Sequence, residues 1–401
     1  MKILFVADGR SPITINWLRY FVERGDEVHL ASTFACRPDL QLASLDIVPV
    51  AFSGAKSAHA PNLPGQAGSP RSRGGALAPT SSRWWGASTL GLRIAVRQWL
   101  GPLTIQRAAT RLRSIIERVR PDLVHAMRIP YEGMLAADAF TGSVPLLVSV
   151  WGNDFTLHAP STPLMRHYTE WTLKVADALH SDCRRDVRLA KQWGFDTHKP
   201  ALVVPGNGGV RGDIFYPPSA PVIEPVVFNP RGFRAYVRNE AFFRAIPLVL
   251  KECPEARFRC AAMAGESQAL AWVRELGIEQ SVELLPVRPH AEMAELFRAA
   301  QVVVSPSVHD GTPNSLLEGM ACGCFPIAGD LESVREWITM GRNGLLVDPA
   351  DPAALAGAIL QALNDPALRQ QAAQENAAII AERAEYTRNM TRAAEFYGRM
   401  V

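Results

Sequence analysis

Short apolar runs, among them KILFVA, DLVHAM, PLLVSVW and QVVVSPS, alternate with longer stretches whose apolar residues recur at helical spacing. The runs show little period-two alternation, as expected of strands buried on both faces of a parallel sheet. The spacing predicts a helix over 12–24, with Ile15, Leu18, Phe21 and Val22 on one side and Gly25 ending it. EVHLAS and DIVPVAF follow as strands, then a helical stretch over 90–120. Helices near 132–141, 162–176 and 184–193 then alternate with DLVHAM, PLLVSVW, ALHSD and ALVVP. A second series follows the proline-rich 217–225. It runs VVF, helix 239–252, RFRCAAM, helix 266–276, SVELLP, helix 290–300 and QVVVSPS, then helix 315–322, FPIAG, helix 331–339 and GLLV. Helical sequence continues from Pro352. Two such series imply an α/β protein of two doubly wound, Rossmann-like parallel-sheet domains, 1–215 and 216–380. Residues 381–401 read as a closing helix that packs back on the first domain. Residues 53–89, rich in Gly, Pro, Ser and Ala without a period, read as a flexible basic insertion.

Length supports this division, since 401 residues exceed one ordinary core and 48% hydrophobic content fills two. No apolar run approaches the roughly 20 residues that span a bilayer. The first residues lack the long apolar region of a secretory leader, so the expected compartment is the cytoplasm. The six cysteines are scattered, and the close pair Cys322 and Cys324 lies in the apolar MACGCFPIA. Neither disulfides nor a structural metal is expected.

The net charge of +3 hides an asymmetry. Between 51 and 120, Lys56 and Arg71, 73, 83, 93, 97, 107, 111, 113, 118 and 120 face a single acid, Glu117. Such a block suits an anionic partner or, more plainly, solvated helix faces. Trp84, Trp85 and Trp99 interleave with the arginines, which suits region 71–120 to an anionic membrane surface. No nucleic-acid-binding motif accompanies it.

The chemistry concentrates in HDGTPNSLLEGMACGCFPIAGD, residues 309–330. Asp310 stands on the loop at the carboxyl end of QVVVSPS, and a helix begins at Asn314 or Ser315, its free N–H groups suited to an anion. Ser315-x-x-Glu318 has the form of a capping box, which accounts for Glu318 alone. It leaves Asp310, Gly311, Thr312 and Pro313 unexplained. The spacing of two acids by itself carries almost nothing.

Its context carries more. SPSVHDGTPNSLLEGMACGCFPIAGD, continued by GRNGLLVDPADPAALAGAIL, resembles the carboxy-terminal signature of the family 4 retaining glycosyltransferases. That signature is Glu-x7-Glu with EAMAxGxPVVA and a later GLLVPPGDPEALA. VVPGNGGVRGDIFYP, SVWGND and PRGFRAYVRNEAFFRAIP echo the family more loosely.

The resemblance implies the GT-B fold, with an acceptor-binding first domain, a nucleotide-sugar-binding second domain and a cleft between them. It implies that Asp310 holds donor-sugar hydroxyls and that Gly311, Thr312, Pro313, Asn314, Ser315 and Leu316 line the sugar diphosphate. Glu318 would bind the ribose diol. Arg231 and Arg238 would clamp the diphosphate, with Arg234 the rival of Arg238, and Arg in place of a family Lys keeps the charge. Gly9 and Ser11 would approach the diphosphate and acceptor. Trp151 stands where many relatives have a histidine and cannot take a proton. Asp154, beside Asn153, is then the candidate to orient the acceptor hydroxyl. His125 reads as a packed strand-end histidine.

The implied donor is a nucleotide-diphosphate sugar, with no cofactor and no metal, and no Asp-x-Asp pair occurs in the chain. The implied acceptor is a glycan or lipid-linked molecule, in bacterial surface polysaccharide or glycolipid synthesis, at the inner face of the cytoplasmic membrane. Rival readings are a glycogen- or sucrose-type transferase, a non-catalytic sugar-nucleotide-binding scaffold and a nucleotide-sugar epimerase.

Overall fold

A computed structural model describes residues 1–53 and 96–401. All but the first residue of the expected insertion 53–89, and with it Trp84, Trp85 and Arg71 to Arg93, therefore lies outside the described residues.

The apolar runs become two parallel sheets. The first contains β1 (Lys2–Ala7), β2 (Glu27–Ser32), β3 (Ser44–Ile47), β4 (Leu123–Ala126), β5 (Leu146–Val150), β6 (Ala178–Ser181) and β7 (Ala201–Val203). Their order is β3-β2-β1-β4-β5-β6-β7. The second contains β8 (Val226–Asn229), β9 (Arg257–Cys260), β10 (Val282–Leu284), β11 (Val302–Ser305), β12 (Phe325–Gly329) and β13 (Leu345–Val347), in the order β10-β9-β8-β11-β12-β13. The central strands β4, β5, β8, β11 and β12 are buried at every position, as their unbroken apolar sequence requires.

In each sheet the strand order reverses direction beside the first strand, between β1 and β4 and between β8 and β11. A crevice opens beyond the carboxyl ends at such a reversal, and ligands of open α/β sheets bind there.

Four helices frame or brace that crevice. α1 (Pro12–Glu23) begins with proline, whose missing N–H costs nothing in a first turn. α2 (Arg184–Gln192) follows β6, α3 (Asn314–Ala321) follows β11, and α4 (Tyr386–Gly398) returns to the first sheet. There the Tyr397 ring stacks on Phe21 at 4.8 Å between centroids.

A buried chain of hydrogen bonds fixes this return. Trp17 Nε1 donates to the Tyr397 hydroxyl (2.9 Å), which pairs with His125 Nδ1 (2.5 Å). His125 Nε2 pairs with Ser149 Oγ (2.7 Å), Ser149 with His180 Nδ1 (2.7 Å), and His180 Nε2 with the Val204 carbonyl (3.1 Å). An indole can only donate and a carbonyl can only accept, so every proton between them points the same way. Burial pushes both imidazoles down, His180 to about 4, and both stay neutral.

Two expectations fail for physical reasons. DIVPVAF does not continue as a strand past Ile47, where its neighbour β2 ends at Ser32 and Pro49 brings no N–H to a ladder. Ala51 and Phe52 then take left-handed backbone angles (φ 50° and 63°) that turn the chain. The helix expected over 331–339 is a series of tight turns instead. Ser333 Oγ donates to the Asp310 carbonyl (2.7 Å) and Trp337 Nε1 to Thr312 Oγ1 (3.1 Å), so tertiary contacts override local propensity. No helix among the described residues is long and apolar enough to cross a membrane.

Candidate active site

The carboxyl ends of the two sheets face each other across a cleft made of two joined hollows, of about 460 and 640 Å³. Ser11, Arg128, Trp151, Asn153, Arg234 and Tyr236 line both.

On the second-sheet wall, the loops after β8 and β11 are bridged by Val237 and Ser307. That bridge brings Arg231 to Asp310, with Nη2 to Oδ2 at 2.7 Å, while Arg231 Nη1 donates to Ser315 Oγ at 3.4 Å. Burial raises the Asp310 carboxyl and the Arg231 charge opposes the rise.

α3 starts at Asn314, with Pro313 at its cap position and no capping side chain. The capping box is therefore not formed, since Ser315 sits inside the helix and faces Arg231. Glu318 is left to the cleft, where burial pushes its carboxyl up to about 8 against the pull of Arg231. The N–H groups of Asn314 and Ser315 have no backbone or side-chain partner among the described residues, and Asn314 Oδ1 is buried without one.

Leu316 departs from expectation. Its N–H is taken by the Pro313 carbonyl and its side chain lies in the core. Arg238 departs as well. It is exposed, donates to the Ala235 carbonyl (3.3 Å) and lines a separate surface hollow with Trp272 and Arg244. Arg234, also exposed, lines that hollow and both hollows of the cleft.

On the first-sheet wall, the loop after β1 offers Ser11, but Gly9 is buried behind it with its N–H on Ser32 Oγ (3.0 Å). An added Cβ at Gly9 would meet Cys36 and Leu30, so its role is packing and not approach to a ligand. Trp151 and Asn153 line the cleft, and the Trp151 indole N–H is buried without a partner among the described residues.

Asp154 does not reach the cleft. Its Oδ1 accepts from Arg128 Nε (2.9 Å) and its Oδ2 from the N–H groups of Trp151 (3.0 Å) and Ile129 (3.3 Å). With both oxygens engaged internally and the side chain fully buried, it frames the loop and cannot orient a substrate hydroxyl. Arg128, which it holds, also takes Asn153 Oδ1 (3.0 Å) and presents its charge to both hollows.

Sequence reasoning passed over the residues that join the walls. Arg185, at the start of α2, donates to the Gly152 carbonyl (2.7 Å), the Asp310 carbonyl (2.8 Å), Ser333 Oγ (3.0 Å) and Asp186 (2.8 Å). The backbone N–H groups of Arg184 and Arg185 are received by the Glu336 carboxylate of the second domain, both at 3.0 Å. A carboxylate there also suits the positive end of α2. Gly152 and Gly311 touch so closely that a Cβ on Gly152 would overlap the Gly311 backbone, and one on Gly311 would overlap the Asp182 carboxylate. Thr312 Oγ1 donates to the Asp182 carbonyl. Little local spacing signals these contacts, because those that cross between the walls join segments more than a hundred residues apart.

Asp182, Cys183 and Asp186 gather their ligand atoms within 4.8 Å of one another. Arg185 supplies the compensating cation there through Asp186, and burial pushes the Cys183 thiol up, away from the thiolate a metal would need.

The model named "Glycosyl transferase 4-like domain" matches residues 13–206, and the model "Glycosyl transferases group 1" matches residues 231–365. The chain is 34% identical over 149 residues to a D-inositol 3-phosphate glycosyltransferase of Corynebacterium diphtheriae, covering 35% of each chain. It is 33% identical over 168 residues to one of Thermobispora bispora, covering 39% of each. The matches thus span little more than a third of these curated relatives. Among solved structures, sucrose-phosphate synthase from Thermosynechococcus elongatus superposes with a TM-score of 0.74 at 16% identity, over 100% of this chain and 99% of that one. Anabaena HepE, in complex with UDP-glucose, gives 0.72 at 16% identity over the full length of both. Identities this low speak for the fold alone. With the two family models covering most of the sequence, one on each sheet domain, the chain belongs to the family 4 glycosyltransferases of the GT-B fold.

Proposed function

We propose that this chain transfers a sugar from a nucleoside-diphosphate sugar to an acceptor hydroxyl, with retention of anomeric configuration. The observation that carries the reading is the convergence of Asp310, Arg231 and Glu318 in one hollow, facing Arg128 and Trp151 across the cleft. Ionised Glu318 accepts the two ribose hydroxyls. The diphosphate lies against Arg231 and the free N–H groups opening α3, where the helix dipole favours negative charge. As the bond from the anomeric carbon to the phosphate oxygen breaks, negative charge grows on the leaving phosphate and Arg231 stabilises it. Asp310 stabilises the positive charge on the sugar ring. The acceptor hydroxyl attacks from the same face and its proton passes to the departing phosphate oxygen. The charges the step develops are met by fixed guanidinium and amide groups, so no step calls for a divalent ion. Neither Trp151 nor the enclosed Asp154 acts as a base.

The larger hollow takes the acceptor. We assign a glycan or glycolipid, in polysaccharide or glycolipid assembly. Exposed Trp99, Leu100 and Leu103, close in sequence to Arg107 and Arg111, support a peripheral position on an anionic membrane. Support for the donor comes from HepE, whose structure holds UDP-glucose.

Thermal shift with a panel of UDP-, GDP- and ADP-sugars tests the reading. One donor should stabilise the protein, and Glu318→Ala should abolish the shift while remaining folded. Indifference to every donor, or an equal shift in the variant, would overturn it. Release of nucleoside diphosphate in the presence of an acceptor extract then separates a transferase from a binding scaffold.

A further inference from the structure

We infer that the larger hollow contains a subsite for a phosphate group of the acceptor, read by Arg97 and Arg234. The assignment rests on the transferase reading above and adds a substrate class to it.

Four guanidinium groups face this hollow, those of Arg10, Arg97, Arg128 and Arg234. Two are answered within the protein. Arg10 makes a two-pronged pair with Asp8 (2.9 and 3.0 Å), and Arg128 is held by Asp154. Among the described residues Arg97 and Arg234 meet no carboxylate within ion-pair distance, and Arg97 Nε is buried without an acceptor. Glu132 is the remaining acid on the wall, and its Oε1 is engaged by Thr33 Oγ1 (2.7 Å). Counted as ionised, it still leaves the hollow positive. A buried N–H without an acceptor, such as Arg97 Nε, is costly, and a ligand oxyanion removes that cost.

The walls aim Arg97 for this purpose. Its guanidinium lies over the Tyr131 ring at 4.6 Å and near Phe34 at 5.4 Å. Tyr131 holds a left-handed backbone angle (φ 71°), rare for an aromatic residue, and its hydroxyl donates to the Arg97 carbonyl (2.7 Å). Aromatic faces take the flat side of a guanidinium and leave its N–H edge for a ligand. His158, kept neutral by burial and by the charges of Arg128 and Arg97 at about 3, adds a hydrogen-bonding group without adding charge. Arg97 belongs to the basic stretch yet lies half-buried on the cleft wall, where a solvated face would have left it exposed. Two guanidinium groups across a hollow of about 640 Å³ suit a tetrahedral oxyanion carried by a polyol or sugar. The phosphate could sit on a soluble acceptor or in a lipid headgroup, and the chemistry of recognition is the same.

The test uses the full chain with its donor site filled by the nucleoside diphosphate of the stabilising donor. Calorimetry then measures binding of glycerol 3-phosphate, and flotation measures binding to vesicles of phosphatidylglycerol against phosphatidylcholine. Arg97→Met and Arg234→Met should each weaken the phosphate probe by about tenfold or more. Arg97→Lys, which keeps charge and bulk, should fall between and guards against a folding defect. Arg231→Met, made without the nucleotide, should keep the phosphate and lose the nucleotide. Glycerol phosphate binding assigns a soluble acceptor, and binding confined to phosphatidylglycerol vesicles and sensitive to both variants assigns a lipid headgroup. Failure of both probes to bind, equal binding in wild type and the Arg97 and Arg234 variants, or loss in Arg231→Met instead overturns the subsite. A failed transferase reading would appear separately, as absence of any donor shift.

Discussion

The two walls of the cleft stand on the same kind of platform and differ in how they are assembled. The second-sheet wall draws most of its groups from two segments, the loop after β8 and the loop and helix after β11, with His290 added from the helix after β10. The first-sheet wall draws on the ends of β1, β4, β5, β6 and β7 and on Phe34 and Arg97 besides. Their charges also differ. The second-sheet wall leaves an acid, Glu318, without a counterion. The first-sheet wall encloses an acid, Asp154, and turns cations toward the cleft. A diol with a diphosphate needs a fixed set of groups, which one strand, loop and helix can supply. The opposite wall is built from distant segments, and its acid Asp154 serves as framing.

Asp154→Ala tests that division with the largest effect. It strands Arg128 and two backbone N–H groups, and should cost about 3–5 kcal/mol of stability, seen in urea unfolding. Full stability with lost transfer would instead make this wall catalytic. Arg231→Ala leaves the buried Asp310 carboxyl without its partner. It should lower the melting temperature less than Asp154→Ala, because Asp310 can take a proton. Transfer by the folded protein should fall by about 10²–10³, equivalent to about 2.7–4 kcal/mol. Gly152→Ala pushes a methyl into the Gly311 backbone and should cost about 1–3 kcal/mol while weakening donor binding. Unchanged stability there would mean that the walls are not pressed together at this point.

Glu318 predicts a pH signature. Its raised carboxyl holds a proton in the free protein near neutrality, whereas ribose hydroxyls donate to the ionised form. Nucleotide binding should therefore tighten by up to about tenfold per pH unit below about 8, level off above, and release a proton. The native state holds this proton more tightly than the unfolded chain. Its contribution to stability in the free protein accordingly declines as pH rises from the usual glutamate range toward about 8. Glu318→Gln should flatten both profiles, and calorimetry in buffers of different ionisation enthalpy reads the proton. Arg238→Ala should be the mildest change, within about 0.5 kcal/mol in stability and without effect on donor affinity. A loss of donor binding would return Arg238 to the cleft.

How far the sequence could be read follows the same division. Unbroken apolar runs announced both parallel sheets, because burial on two faces leaves no room for polar alternation. Asp310, Arg231 and Glu318 were legible because they sit in short motifs at strand ends. Arg238 and Arg234 could not be separated by spacing, since the difference lies in which of them the folded loop brings to the cleft. Asp154 looked like an available acid because nothing local shows that Arg128, Trp151 and Ile129 saturate it. Arg185 carried no signal at all. Its partners Gly152, Asp310 and Ser333 come from three separate segments.

The return of α4 to the first sheet sets an order of events during synthesis. Trp17, Phe21 and His125 emerge from the ribosome early, yet their hydrogen-bonded and stacked partner Tyr397 is made only after every strand of the second sheet. Until then the first domain has a buried imidazole and an indole facing an empty groove. The domain made first is therefore completed last, and a nascent chain interrupted inside the second sheet leaves both halves open to proteolysis.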